Sequence, residues 1–212
     1  MTTVPLSPRA ESARDLIAAE ADAVAVVAQQ LDASFDAAVD LVKAVTGKVV
    51  VIGSGTSGAV ARRMAHLLSV CGTPAFFLIA ADGLHGTVGA VAGGDLVIAI
   101  SKGGESAELS QFVQLATDRG AQSMALTANL ASPLAQQVDL AVLIDSSAAD
   151  PGGVIAMGST LATAAWGDAL AIALMKERGY GWESVLHSHP GGAVGKYAAT
   201  LLETAEQKLP TR

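Results

Sequence analysis

Apolar residues recur at three- and four-residue steps through Val24, Val27, Leu31, Phe35, Ala38 and Val42, while Asp22, Asp32, Asp36 and Asp40 fall mostly on the other side. This period predicts amphipathic helix over about residues 9–45. Ser34 is a candidate cap for a second helix after a short break. Gly47 is the expected stop. Pro5 and Pro8 make residues 1–8 read as a flexible tail, and residues 9–212 as one domain with an N-terminal helical arm.

Beyond Gly47 the pattern changes to short, largely apolar strands at 48–52, 75–79, 96–100, 123–127 and 140–144. Helical stretches are predicted at 59–69, at 106–118 (ended by Gly120) and after Pro133, a favoured first-turn proline. Longer helices are predicted at 159–178 and 193–208. Short apolar strands joined by helices imply a parallel sheet covered on both faces. The fold class is therefore α/β, a three-layer sandwich around a five-stranded parallel sheet with added N-terminal and C-terminal helices.

Composition narrows the function. The chain has 212 residues, enough for one compact core, and is 51% hydrophobic but only 4% aromatic. Packing thus falls to Ala, Val, Leu and Gly, and such small residues allow close helical approach of the kind found in oligomer interfaces. A net charge of −7 argues against nucleic acid as a partner. A single cysteine, Cys71, excludes an intrachain disulfide and a cysteine metal cage, and its apolar run predicts a buried, inert thiol. No basic segment followed by an apolar core opens the sequence. The most apolar stretch, 161–175, carries Asp168 and is too short to span a bilayer, so no membrane association and a cytoplasmic location are expected.

Two turns carry the candidate chemistry. Residues 53–58, Gly-Ser-Gly-Thr-Ser-Gly, follow the first strand, and residues 101–106, Ser-Lys-Gly-Gly-Glu-Ser, follow the third. Each opens a helix with free amides, hydroxyls and the positive end of the helix dipole, a ready phosphate site. Lys102 adds a full charge. Both are also readable as plain tight turns. The spacing Gly53-X-Gly55-X-X-Gly58 partly imitates a dinucleotide fingerprint, but the second strand ends Leu78-Ile79-Ala80-Ala81 and Asp82 comes late for a ribose.

The runs 51–58, 72–77, 84–89, 101–105, 167–171 and 188–195, the last being Ser-His-Pro-Gly-Gly-Ala-Val-Gly, make the chain resemble the sugar isomerase (SIS) family. The resemblance is greatest to the isomerase domain of arabinose 5-phosphate isomerases, here expected without the pair of CBS modules. It implies the flavodoxin-like SIS fold and a phosphorylated sugar as ligand. It further implies phosphate contacts from Ser57, Ser101 and Ser106, with Ser54, Thr56, Lys102 and Gly103 of the same two turns as further phosphate-binding candidates. Glu105 falls where those enzymes place an acid/base carboxylate, and His189 where they place a histidine from a neighbouring subunit. His85, in the glycine-rich loop after the second strand, is a third catalytic candidate. Aldose–ketose exchange moves a proton between two carbons through an enediol, which needs such a shuttle and donors for the developing oxyanion. It needs no cofactor and no metal. A homotetramer or homodimer with shared active sites is implied.

Several positions depart from that pattern. Thr56 stands where those isomerases carry a lysine, Thr87 where they carry an aspartate, and Ala148 near a glutamate, with Asp150 the only carboxylate close by. The Gly-Thr-Ser form of the first turn is instead similar to the isomerase domain of glucosamine-6-phosphate synthase. Other readings are a non-catalytic sugar-phosphate sensor, a 6-phospho-3-hexuloisomerase-like enzyme and a phosphosugar lyase. Glu105 is also readable as a first-turn carboxylate stabilising its helix. His66 reads as structural and His187 as a bystander.

Overall fold

The computed structural model describes residues 6–191 together with Lys196, Tyr197, Thr200, Leu202 and Thr204. Two helices lead, α1 (Pro8–Gln29) and α2 (Ala33–Lys43). Strands and helices then alternate: β1 (Val49–Gly53), α3 (Gly55–Val70), β2 (Ala75–Leu78), α4 (Ala80–Leu84), β3 (Leu96–Ile100), α5 (Ala107–Asp118), β4 (Gln122–Thr127), α6 (Pro133–Gln137) and β5 (Leu140–Leu143). A long α7 (Gly158–Glu177) and a short α8 (Trp182–His187) follow.

All five strands are parallel, in the order β2-β1-β3-β4-β5. This is the doubly wound, flavodoxin-like order, in which the chain reverses direction across the sheet between β1 and β3. Every residue of β1 and β3 is buried, as two covered faces require. The pleat sends alternate residues to different cores. Val49, Val51, Leu96 and Ile98 pack with Ala38, Val42, Met64, Leu68, Leu170 and Leu174 from α2, α3 and α7. Val50, Ile52, Val97 and Ala99 pack with Leu109, Phe112, Val113 and Leu134 from α5 and α6. The predicted three layers are present.

The N-terminal pattern needs correction. Ser7 caps α1, which starts at Pro8, and Asp32, not Ser34, caps α2 by accepting from the Ser34 N–H at 2.8 Å. The extended backbone of Asp32 resets the helical phase, so the single stripe from Val24 to Val42 does not persist. Val27, Ala38 and Val42 are buried and Phe35 half-buried against Trp166, whereas Val24 and Leu31 are exposed. α2 ends at Lys43, before Gly47, which instead donates to the Gly94 carbonyl at 2.9 Å. Beside that turn the buried Asp95 carboxylate binds the Lys48 ammonium at 2.6 Å and the amides of Lys48 and Ala92, joining the entrances of β1 and β3. α4 and α8 were not predicted, being single turns too short to show a period. The predicted helix at 193–208 lies largely outside the described residues.

Candidate active site

The two glycine-rich turns leave β1 and β3, which are neighbours in the sheet, so they stand side by side at its carboxyl edge. In the first, the final residues of the glycine motif already form the opening turn of α3, four residues earlier than the apolar period suggests. Helix geometry leaves the N–H groups of Gly55, Thr56 and Ser57 without carbonyl partners. Ser54 occupies the cap position yet makes no capping bond, and Ser106 does the same at the start of α5. By contrast, Ser7 at the start of α1 and Ser132, which packs against Gly104 of the second turn, do cap their helices, Ser132 by accepting from the Ala135 N–H at 3.3 Å. Two helix ends therefore present uncapped amides and unused hydroxyls at adjacent strand ends, a setting that favours an anion.

The second turn is held rigidly. The Ser101 hydroxyl accepts from the Gly104 N–H at 3.1 Å, and Thr127 donates to the Lys102 carbonyl at 3.0 Å. Gly104 has φ +69°, and a side chain there would run into the buried Ser132 hydroxyl. Ser101 thus shapes the turn rather than standing free. Gly103 is exposed, and Glu105 is exposed just before the cap of α5, outside the helix proper. The first-turn carboxylate of α5 is Glu108, so the helix-stabilising reading of Glu105 is corrected.

Lys102 is also placed differently from expectation. Its ammonium is not a free charge in the turn. It donates to Asp150 Oδ2 at 2.6 Å and to the Gly153 carbonyl at 3.3 Å. Asp150 Oδ1 accepts from the amides of Met157 (2.9 Å) and Ser159 (3.0 Å) at the start of α7. The Asp150 side chain is 0% exposed. Burial opposes its charge, but hydrogen bonds from Lys102, Ser159 and Met157 outweigh burial and lower its pKa to about 2. A small cavity of about 20 Å³ between the turns and α7 is lined by Ser57, Lys102, Thr127, Ser159, Thr160 and Thr163. It brings Ser57 and Lys102 together. Thr127 and the hydroxyls of α7 escaped the sequence reading, as did the pairing of Asp150 with Lys102. The Gly-Ser-Thr start of an otherwise apolar helix at 158–160 was the available signal.

Thr56 lies on the outer side of α3, lining a larger cleft of about 680 Å³ between α1, α3 and α7. That cleft exposes Ile17, Val24 and Leu161 around a bidentate Arg63–Asp168 pair. His85 is exposed at the end of α4, beyond the carboxyl end of β2, and α4 packs on α5. His189 is elsewhere. α7 runs about 30 Å away from the turns, and its end is fixed at the amino edge, where Arg178 donates to the Val42 carbonyl and the Tyr180 ring covers Gly72. α8 follows there with Val185 in the core, and His189 Nδ1 lies 2.7 Å from the Val185 carbonyl. Donation from Nδ1 leaves Nε2 free for other partners. Within one chain His189 and Glu105 therefore belong to opposite edges of the sheet.

His66 is exposed on α3, not packed as expected, and His187 is exposed too. Cys71 is buried, with burial and the Asp168 charge raising its thiol pKa, in keeping with an inert role. Among the described residues no group of three or more His, Cys, Asp or Glu is arranged to hold a metal, and no helix is long and apolar enough to cross a membrane.

With this geometry, the SIS domain model matches residues 43–173, from the end of α2 into α7, and the chain belongs to the SIS domain family. It is 38% identical over 188 residues to arabinose 5-phosphate isomerase KdsD of Pseudomonas aeruginosa, covering 87% of this chain and 57% of that protein. It is 35% identical over 187 residues to the KdsD of Shigella flexneri, covering 88% and 57%. The chain thus spans a little over half the length of these relatives. Among solved structures it superimposes on an Escherichia coli CFT073 protein in complex with A5P, with a TM-score of 0.84 and 31% identity, covering 88% of this chain and all of that one.

Proposed function

We propose that the chain is a phosphosugar isomerase that interconverts an aldose phosphate and a ketose phosphate, in the manner of an arabinose 5-phosphate isomerase. The observation that carries this reading is the pair of uncapped helix starts, α3 and α5, at neighbouring strand ends. The similarity to KdsD proteins and to a structure in complex with A5P supports it. The phosphate is held by the amides and hydroxyls of Ser54, Ser57 and Ser106, with Ser101 and Gly103 shaping the second turn and Thr56 at the outer edge of the first.

The sugar opens to its aldehyde, and Glu105 takes the proton from C2 while the C1 carbonyl oxygen gains one, giving the enediol. Loss of the O2 proton and return of a proton to C1 complete the ketose. His189 of a second subunit opens the ring or relays the oxygen-bound protons, and His85 lies at the rim as a further donor. Neutral donors around the turns stabilise the enediolate oxygen. Incubation with a panel of phosphosugars in deuterated water tests this. Deuterium entering C1 or C2 is expected, and binding without exchange overturns the enzymatic reading.

A second reading, a sugar-phosphate sensor without turnover, is favoured by one observation. The carboxylate of Asp150, two residues from Ala148, is held in an ion pair with Lys102, which removes it from proton transfer.

A further inference from the structure

Asp150 joins three parts of the carboxyl edge. Its Oδ2 holds Lys102 of the second turn, its Oδ1 holds the first amides of α7, and Lys102 in turn holds the Gly153 carbonyl. The segment from 151 to 157 is thereby strapped across the site at both ends. Its middle packs on little, since Val154 is 83% exposed. Below it lies a small gap of about 20 Å³ beside Ser57, enough for about one water. While this clamp is made, two of the three ammonium protons of Lys102 are engaged, by the Asp150 carboxylate and the Gly153 carbonyl.

We propose that Asp150 is a positioning residue that withholds the Lys102 ammonium from the substrate phosphate and locks the second turn to α7. This rests on the isomerase reading above. The physical logic is that a cation on the phosphate binds substrate, transition state and product alike, so it tightens binding without raising turnover. Phosphate recognition is left to neutral hydroxyls and amides, and the site releases its product.

Asp150→Asn separates the two roles. The amide oxygen still accepts from Met157 and Ser159, while an NH2 group turned toward Lys102 repels the ammonium. Calorimetry with inorganic phosphate and with arabinose 5-phosphate should then show binding tighter by about tenfold, as expected for one new charge-assisted hydrogen bond. The gain should shrink with added salt. In assays KM should fall while kcat does not rise, whereas damage to structure alone raises KM. Phosphate binding by Asp150→Asn that equals or falls below that of the wild type overturns the proposal. If that variant does not fold, the pair Lys102→Met with Asp150→Asn decides. Affinity within about twofold of wild type supports a cation withheld from the phosphate, and a loss beyond about tenfold overturns it. A wild type that binds neither probe overturns the isomerase reading along with this one, while a binding wild type with no gain in Asp150→Asn overturns this one alone.

Discussion

Gly53 and Gly58 meet across the first turn with no room for a side chain on either. A Cβ on Gly58 would lie 2.8 Å from the Gly53 carbonyl oxygen, and one on Gly53 would lie 2.7 Å from the Ser57 carbonyl oxygen. This approach sets the start of α3 against the end of β1 and aims its free amides over the sheet edge. Both clashes are with backbone, which cannot swing aside as a side chain does. Gly58→Ala should therefore cost about 1–3 kcal/mol of stability and weaken sugar-phosphate binding together with it. Denaturant unfolding and calorimetry on the same preparation check both effects.

Ser106 and Ser132 should separate binding from stability. Ser106 makes no capping bond, so Ser106→Ala should leave the melting temperature nearly unchanged and cost about 1–3 kcal/mol of sugar-phosphate binding. Ser132 caps α6 and packs on Gly104, so Ser132→Ala should cost about 1 kcal/mol of stability. A Ser106→Ala protein that binds as well as wild type removes that hydroxyl from the phosphate site.

The Lys102–Asp150 clamp has an acid limit. The carboxyl of Asp150 is lowered from 3.8 to about 2 in the fold, so the folded state binds its proton less readily than the unfolded chain. Its contribution to stability is present above about pH 4 and is lost as the pH falls toward about 2. The difference in melting temperature between wild type and Asp150→Asn should narrow over that window. Calorimetric scans at closely spaced acidic pH values would show a constant difference if the clamp carried no such linkage.

Removal of Asp95 tests the other buried pair. Its carboxylate serves Lys48 and two amides between β1 and β3, and burial opposes its charge less than these bonds favour it, so its pKa is lowered. Asp95→Ala leaves three donors unpaired and should destabilise by about 3 kcal/mol. Urea unfolding measures this, with phosphate affinity of the folded fraction expected to stay unchanged because the pair sits at the amino edge.

Glu105 and His189 lie toward opposite edges of one sheet, so the proposed mechanism, if both act, calls for two chains. Glu105→Gln and His189→Ala should each slow turnover by roughly 10²–10⁴-fold. Mixing the two inactive proteins under subunit exchange should restore part of the activity. The exposed Ile17, Val24 and Leu161 along α1 and α7 provide an apolar face for association, and light scattering at micromolar concentration should show a dimer or tetramer. A monomer with full activity sinks the shared site.

The layered sheet was legible in the sequence because β1, with four consecutive apolar residues, and β3, with five, have only one stable setting, between two helical layers. The glycine turns were legible as well, since backbone contact at Gly53 and Gly58 and the positive φ of Gly104 demand glycine locally. The phase of α1 against α2 was not, because one extended residue, Asp32, breaks a period that looks continuous along the chain. The partner of Lys102 was equally hidden. Asp150 lies 48 residues away in a loop without periodicity, and only the close approach of α7 to the end of β3 makes it a buried counter-ion. Local rules thus decided which elements form and where the turns fall. Long-range packing decided which charges are free to meet a ligand, because burial and pairing depend on neighbours that no local spacing encodes.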